Sequence, residues 1–237
     1  MLKDQDRLHL GLMLALTFST GVVDAIGYLG LDRVFTGNMT GNVVILAMGL
    51  TGQDGLPIVG PVIALVGFVV GAAIAGRGLK GVPKGWHRRD TVMLAVVAAL
   101  LLIALVPTAF VTRTPVPPTL GYPVTALLAV AMGIQAGTAR HVAVTDVTTV
   151  VVTSTLAALA FDSRFGRAIG QTWVRRLLAV ALIGLGALAG ALLLKIAFWA
   201  GLSLAATILV AVAVLGALGQ RAHHRARAAE EPASAAR

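Results

Sequence analysis

The sequence predicts an all-α polytopic membrane protein with about six full transmembrane helices, two broken or re-entrant segments, and an inverted 3+3 repeat. Hydrophobic residues make up 57% of the 237 positions, and charged residues only 12%. Several uninterrupted apolar runs reach about 20 residues, the length that crosses a hydrocarbon core of roughly 30 Å. Because these runs are continuous and do not alternate with polar residues, they indicate helices and argue against a membrane β-barrel.

A proline-rich stretch divides the six clear apolar runs into two sets of three. This stretch, TRTPVPPT, lies between the third and fourth runs, and its prolines prevent one continuous helix. We therefore predict a first membrane repeat at 1–111, a linker at 112–119, a second membrane repeat at 120–219 and a disordered cytoplasmic tail at 220–237. The predicted spans are 10–31, 56–76, 91–111, 120–139, 177–194 and 200–218.

Two short polar segments interrupt the apolar pattern. The first, TGNMTGN, lies in a first motif segment at about 34–50, and the second, TTVVVTST, in a second motif segment at about 142–161. Glycine, threonine and asparagine weaken a helix, so we expect both segments to be broken. A shift of 113 positions indicates a duplicated element, because it superposes Val34, Thr36, Thr40, Leu46 and Ala47 on Val147, Thr149, Thr153, Leu159 and Ala160.

The distribution of lysine and arginine favours six spans over eight. If neither motif segment crosses fully and the N-terminus is cytoplasmic, 16 of the 19 basic residues lie inside, and only Arg33, Arg113 and Lys195 lie outside. If both segments cross, the split becomes 11 against 8. Cytoplasmic loops carry an excess of lysine and arginine. We therefore predict a multi-pass protein of a bacterial inner (plasma) membrane with both termini cytoplasmic.

Three spans in each half make the duplication inverted, since the second half then starts from the opposite side of the membrane. Inverted repeats in transporters place the substrate site near the midplane, where discontinuous helices end at a cavity. The motif segments would enter from opposite faces. A half-helix beginning near Thr40 would present free N–H groups to the cavity, which would suit an anionic or carbonyl-bearing solute.

The candidate binding or coupling residues are polar side chains in or beside the motif segments. Asp24, inside the first span, is either a proton or cation coupling group or a structural partner of Thr17, Thr20 or a motif backbone amide. Asn38 and Asn42 either face a cavity or satisfy the break. Asp146 would cap a half-helix, and Arg140 would either reach the interface or anchor Asp146 or an anionic ligand. The full set is Asp24, Thr36, Asn38, Thr40, Asn42, Gln135, Arg140, Asp146, Thr149, Thr153 and Thr155.

Several function classes are disfavoured by composition. The chain has no cysteine, its histidines show no metal spacing, and its glutamates occur only at 230 and 231. We therefore expect no metal, no cofactor and no intramembrane enzyme activity. The basic residues lie between apolar runs without a recognition motif, so no nucleic-acid partner is expected. A nucleotide-binding loop is also missing from the sequence.

The motif residues resemble a known family. Gly21-Val-Val-Asp-Ala25, Phe35-Thr-Gly-Asn-Met-Thr-Gly-Asn42, Gly133-Ile-Gln135 with Arg140, and the stretch 149–156 are similar to the YoaK-like family of uncharacterised bacterial membrane proteins. The second motif departs from the family pattern, which tends to Asn where this chain has Ala136 and to Thr-Gly-Thr where it has Thr153-Ser-Thr155. The resemblance covers nearly the whole chain and implies an integral membrane protein without supplying a substrate.

Two functions follow as expectations. The first is a small-solute secondary transporter or permease whose midplane site is formed by the first motif segment and its C-terminal counterpart. The alternative is a non-transporting membrane scaffold or lipid-binding subunit, in which the motifs only allow close helix packing. The expected partners are the lipid bilayer and an unknown small solute, and the sequence leaves a homo-oligomer open.

Overall fold

A computed structural model describes residues 2–111, 114–143, 152–163 and 173–235. The regular structure is helical, and six of the described helices contain a stretch long and apolar enough to cross a membrane. This confirms the prediction of a polytopic α-helical membrane protein. The helices are α1 (Leu2–Gly30), α2 (Met39–Gly49), α3 (Val59–Gly78), α4 (Arg88–Thr108), α5 (Pro118–Val142), α6 (Val152–Phe161), α7 (Trp173–Leu194) and α8 (Phe198–Ala235), with a 3₁₀ turn at Gln53–Gly55.

Two helices are too short to cross a bilayer, and both lie in the motif segments. Helices α2 and α6 have 11 and 10 residues, which at 1.5 Å per residue is about half of a 30 Å core. The chain enters and leaves the first motif segment at neighbouring points, because Arg33 Nη1 donates to the backbone oxygen of Asp54 at 3.2 Å. The first motif segment is therefore broken and returns to the end of the bundle from which it starts.

The spans run alternately in opposite directions, so their loops lie at two ends of the bundle. At one end the start of α1 lies near the last turns of α8, since Gly219 approaches Leu8. At the other end Gly30, which closes α1, approaches Phe198 at the start of α8. We call the first the basic end, because its described residues include Arg7, Arg77, Lys80, Lys84, Arg88, Arg89, Arg140, Arg175, Arg176 and Arg221.

The first span of each half packs against the other two spans of the opposite half. Helix α1 packs against α7 and α8, and α5 packs against α3 and α4, while α4 and α8 pack against each other. Each short helix lies on the following long helix of its own half, α2 on α3 and α6 on α7. The buried core therefore runs through α1, α4, α5 and α8, with Leu16, Leu101, Leu128 and Leu209 among its fully buried side chains.

Glycines bring the backbones of two helix pairs into direct contact. A Cβ added to Gly21 of α1 would overlap the carbonyl oxygen of Ile183 on α7, and one added to Gly186 would overlap that of Phe18 on α1. The same geometry recurs between α3 and α5, where Gly71 faces Val130 and Gly133 faces Phe68. Small residues allow such close approach between helices in a membrane. Both crossings therefore depend on glycine.

The last helix continues beyond the predicted final span. Helix α8 extends to Ala235, whereas the sequence predicted a disordered tail from 220 onward. Among the described residues, 220–235 are helical. Alanine and arginine have high intrinsic helix propensity, so an alanine-rich, arginine-containing stretch can extend a helix that the span has already nucleated.

A buried carboxylate joins three elements at the basic end. Asp90 is 0% exposed; its Oδ2 accepts from the backbone N–H of His87 at 2.9 Å, and its Oδ1 lies 2.8 Å from His141 Nδ1. The other ring nitrogen of His141 lies 3.1 Å from the carbonyl oxygen of Val82. Since both ring nitrogens face acceptors, only the doubly protonated ring donates to both. This cluster fixes the loop before α4 against the end of α5.

We expect Asp90→Asn to destabilise this end of the protein. Asparagine can still accept from His87 but loses the charge that faces His141, which costs about 1.5 kcal/mol for a charge-assisted hydrogen bond. The measurement is the thermal unfolding midpoint of purified protein in detergent, with Asp32→Asn as the control because Asp32 is exposed. Equal midpoints for the two variants would contradict this assignment.

Candidate functional site

A cavity of about 690 Å³ lies between α1, α2, α6 and α7. Both short helices reach it, α2 through Thr40 and α6 through Thr153, and α1 contributes Asp24. Asp24 lies six residues before the end of α1, about 9 Å along the helix axis. The cavity is therefore inside the membrane-spanning part of the protein, on the side away from the basic end.

The carboxylate of Asp24 holds the non-helical stretch that precedes α2. Its Oδ1 accepts from the backbone N–H of Thr36 at 3.0 Å and from that of Gly37 at 2.6 Å. These amides belong to residues outside any helix, so they need another acceptor within the membrane. The backbone N–H of Asn38 also faces this carboxylate. Asp24 thus stabilises the break and also borders the cavity.

This arrangement changes the expected chemistry of the site. Free N–H groups before α2 would attract an anion, but the carboxylate of Asp24 already occupies two of them. Within the first turn of α2, the N–H of Gly41 is bonded to Asn38. The described lining contains no lysine, arginine or histidine. The cavity therefore suits a cation or a hydrogen-bond donor better than the anionic solute expected from the sequence.

Asn42 is a structural residue of the first motif and does not line the cavity. It is 0% exposed, and its Oδ1 accepts from the N–H of Phe35 at 2.9 Å while its Nδ2 donates to the carbonyl of Phe35 at 2.6 Å. The side-chain amide thus satisfies both backbone groups of a residue that has no helical partners. This pairing closes the turn between α1 and α2.

Asn38 has a different position, at the start of α2 and on the cavity wall. Its side chain is exposed and caps the helix, with Oδ1 accepting from the N–H of Gly41 at 3.2 Å. An N-cap interaction of this kind satisfies one of the free amides of the first turn. Its amide group borders the cavity, where a solute can reach it.

We expect Asn42→Ala to lower stability more than Asn38→Ala. Asn42→Ala leaves the N–H and the carbonyl of Phe35 without their partner inside the membrane, which costs about 2 kcal/mol or more. Asn38→Ala removes one N-cap, a loss of about 1 kcal/mol. The thermal unfolding midpoints of the two variants, measured in the same detergent, test this order. A larger loss for Asn38→Ala would show that Asn42 does not support the turn.

Gln135 connects the two halves below the cavity. Its Nε2 donates to Thr20 Oγ1 at 2.9 Å, and Thr20 Oγ1 in turn donates to the carbonyl of Leu16 at 3.0 Å. Gln135 is 1% exposed and is not part of the cavity wall. It therefore acts through Thr20, which does line the cavity.

The structure brings together four of the residues predicted from the sequence. Asp24, Asn38, Thr40 and Thr153 line one cavity. Thr36 is fully buried and contributes its N–H to Asp24. The other described candidates, which do not line the cavity, are Asn42, Gln135, Arg140 and Thr155. Arg140 is exposed in the last turn of α5. Asp146 and Thr149 lie outside the described residues.

Two cavity residues on α1 are not in the predicted set of site residues, although the sequence suggested Thr20 as a partner of Asp24. Thr20 and Tyr28 lie four positions before and after Asp24, so they share its helix face, and both border the cavity. Tyr28 also stacks on Phe35 with ring centroids 4.8 Å apart. The four-residue spacing around the carboxylate in the first span was the signal that would have identified them.

The comparisons with known proteins agree with the fold. The family model described as "Protein of unknown function (DUF1275)" matches residues 12–215. The chain is 32% identical over 189 residues to "UPF0700 transmembrane protein YoaK" of Bacillus subtilis (strain 168), covering 76% of this chain and 82% of that protein. No solved structure gives a significant match. The chain therefore belongs to the DUF1275 family and is similar to a transmembrane protein of Bacillus subtilis.

Proposed function

We propose that this protein is a small-solute secondary transporter or permease of a bacterial inner membrane. The observation that carries the proposal is that two half-helices, one from each half of the chain, meet at one intramembrane cavity. Thr40 of α2 and Thr153 of α6 both border it. Short helices that end at a midplane cavity are typical of transporters, since broken backbone is tolerated in a membrane only where protein or a cavity surrounds it.

An inverted duplication is the second part of the proposal, and the glycine crossings support it. Gly21 and Gly133 differ by 112 positions and occupy the same place in the two crossings. Gly71 and Gly186 differ by 115 positions and do the same. Helix α1 therefore corresponds to α5, and α3 to α7. Because three full spans precede α5, the corresponding helices run in opposite directions, as they do in transporters with inverted-topology repeats.

The site favours a cationic or hydrogen-bond-donating solute. The carboxylate of Asp24 supplies an acceptor, and the hydroxyl and amide groups of Thr40, Asn38 and Thr153 supply neutral polar contacts. Since the same carboxylate holds Thr36 and Gly37, a solute bound to Asp24 also acts on the chain just before α2. Solute binding and the position of the half-helix are in this way linked through one carboxylate.

Flux measurements in liposomes test transport directly. Purified protein is reconstituted into vesicles loaded with the pH indicator pyranine, and small ammonium and polyol solutes are added outside one at a time. We expect at least one solute to change the internal pH at a rate that depends on the protein and is lost in Asp24→Asn. Asp32→Asn is the matched control, since this carboxylate is exposed beyond α1. If neither a protein-dependent pH change nor uptake of radiolabelled solute is observed, the proposal is overturned and the scaffold alternative remains.

The proposed orientation places the basic end in the cytoplasm. The native chain has no cysteine, so single cysteines report on sidedness without background. In intact cells, an impermeant maleimide is expected to label a cysteine that replaces Thr51, in the loop after α2, and not one that replaces Lys84. Both positions are exposed. Labelling of Lys84→Cys alone would reverse the orientation.

A further inference from the structure

An apolar groove of about 510 Å³ runs along the α1–α7 pair next to the cavity. We call this the lateral groove; the residues that belong to it and not to the cavity are Gly21, Ala25, Leu29, Gly184, Ala187, Leu188 and Ala191. Four residues border both spaces, namely Asp24, Tyr28, Phe35 and Ile183. The groove and the cavity therefore adjoin at these side chains, and the carboxylate borders both.

The polarity of the lining residues changes sharply from the cavity to the lateral groove. In the cavity the described lining includes threonine, asparagine and tyrosine groups beside Asp24. In the lateral groove every described residue other than Asp24 and Tyr28 is apolar or glycine. Leu29, Gly184 and Leu188, on the two helices that form the groove, are exposed, which in a membrane-spanning region means exposed to lipid. A solute in both spaces would have a polar end and a hydrocarbon end.

Small residues line much of the lateral groove, and the space beside one of them, Gly184, is open. Gly21 and Gly186 are required for the α1–α7 contact, since a Cβ at either would meet backbone. Gly184 has no such role: a Cβ there would meet nothing within 4 Å. The open space above Gly184 is therefore part of the groove and not a packing requirement.

From this adjacency we propose that the solute is amphipathic, with a cationic head group at Asp24 and a hydrocarbon chain in the lateral groove. The solute reaches Asp24 from the bilayer along the outer surface of the α1–α7 pair. Charge complementarity determines the head group, because the described lining of both spaces contains a carboxylate and no basic side chain. Lipid is as apolar as the groove, so the chain determines which solutes fit while the head group supplies the affinity. This inference rests on the proposed transport function for its direction and names the solute class.

Protection of a groove cysteine tests the inference without measuring transport. The single-cysteine variant Gly184→Cys is placed in lipid nanodiscs and labelled with methyl methanethiosulfonate in the presence of dodecylammonium, butylammonium or dodecyl sulfate. We expect dodecylammonium to slow labelling, and the other two to slow it far less. Asp24→Asn in the same background should weaken the protection about tenfold, the effect of losing roughly 1.4 kcal/mol of head-group binding.

The control is Gly76→Cys, in α3, where a Cβ also meets nothing within 4 Å and the position is likewise exposed. Dodecylammonium should not protect it. Equal protection at both cysteines, equal protection by the cation and the anion, or protection that is unchanged by Asp24→Asn would each overturn the inference. Protection at Gly184→Cys without flux in liposomes would keep the groove site and reject transport. Flux of short solutes without such protection would support transport and reject the groove site.

Discussion

Asp24→Ala is expected to lower the stability of the protein by about 3 kcal/mol and to abolish any solute flux. Alanine removes the acceptor of two backbone N–H groups, those of Thr36 and Gly37. Each hydrogen bond to a charged group contributes about 1.5 to 3 kcal/mol, and inside a membrane water cannot replace it. The thermal unfolding midpoint in detergent and the flux in liposomes are the two measurements.

Asp24→Asn separates the structural role of this residue from its charge. The amide oxygen of asparagine can still accept from both N–H groups, so we expect an unfolding midpoint much closer to that of the native protein than to that of Asp24→Ala. Flux should be lost in both variants, because the site then lacks its carboxylate. If Asp24→Ala unfolds at the native midpoint, the broken segment does not depend on this carboxylate, and the linkage between solute binding and α2 fails.

The architecture could be predicted because it depends on properties of single segments. A run of 20 apolar residues has few alternatives to a transmembrane helix, and the bias of lysine and arginine toward one end decides whether short segments cross. Both motif segments were predicted to be broken for a similarly local reason, because glycine, threonine and asparagine weaken a helix. The structure confirms six spans and shows the first motif returning to its starting end.

The roles of individual polar residues could not be predicted, because they depend on which backbone groups the fold leaves unpaired. Asn38 and Asn42 have the same side chain and lie in the same motif, yet one caps α2 at the cavity and the other is buried against Phe35. Asp24 accepts from two of the backbone amides that the sequence predicted would face an anion. These assignments require the relative position of α1 and the turn after it, which no local pattern contains.

The repeat offset shows a related limit. Motif identities gave a single shift of 113 positions, which pairs Gly71 with Gly184. In the structure, Gly71 contacts the backbone of α5. The residue of α7 that makes the equivalent contact with α1 is Gly186, two positions after Gly184. Under the proposed duplication, a helix and the loop before it change length independently in the two halves, so one offset need not hold throughout. The close backbone contacts then pair residues that sequence identity does not.

Gly186→Ala is expected to destabilise the protein by about 3 kcal/mol, and Gly133→Ala by a similar amount. The added Cβ of Gly186 would overlap the carbonyl group of Phe18, and that of Gly133 the carbonyl group of Phe68. Overpacking a tight contact costs about 1 to 3 kcal/mol when side chains can yield. Here the opposing atoms are backbone, so the two helices themselves must separate, and the cost should reach or exceed the upper value.

Gly184→Ala is the matched control, because it lies on α7 two residues before Gly186 and its Cβ meets nothing within 4 Å. Replacing glycine by alanine in a helix is favourable by up to about 1 kcal/mol, so its unfolding midpoint should be unchanged or higher. The two crossings share no residues, and the losses of Gly186→Ala and Gly133→Ala should therefore add in the double variant. If Gly186→Ala has the same unfolding midpoint as Gly184→Ala, the close α1–α7 crossing is not needed for stability. If only one crossing is sensitive, the equivalence of the two halves fails at this point.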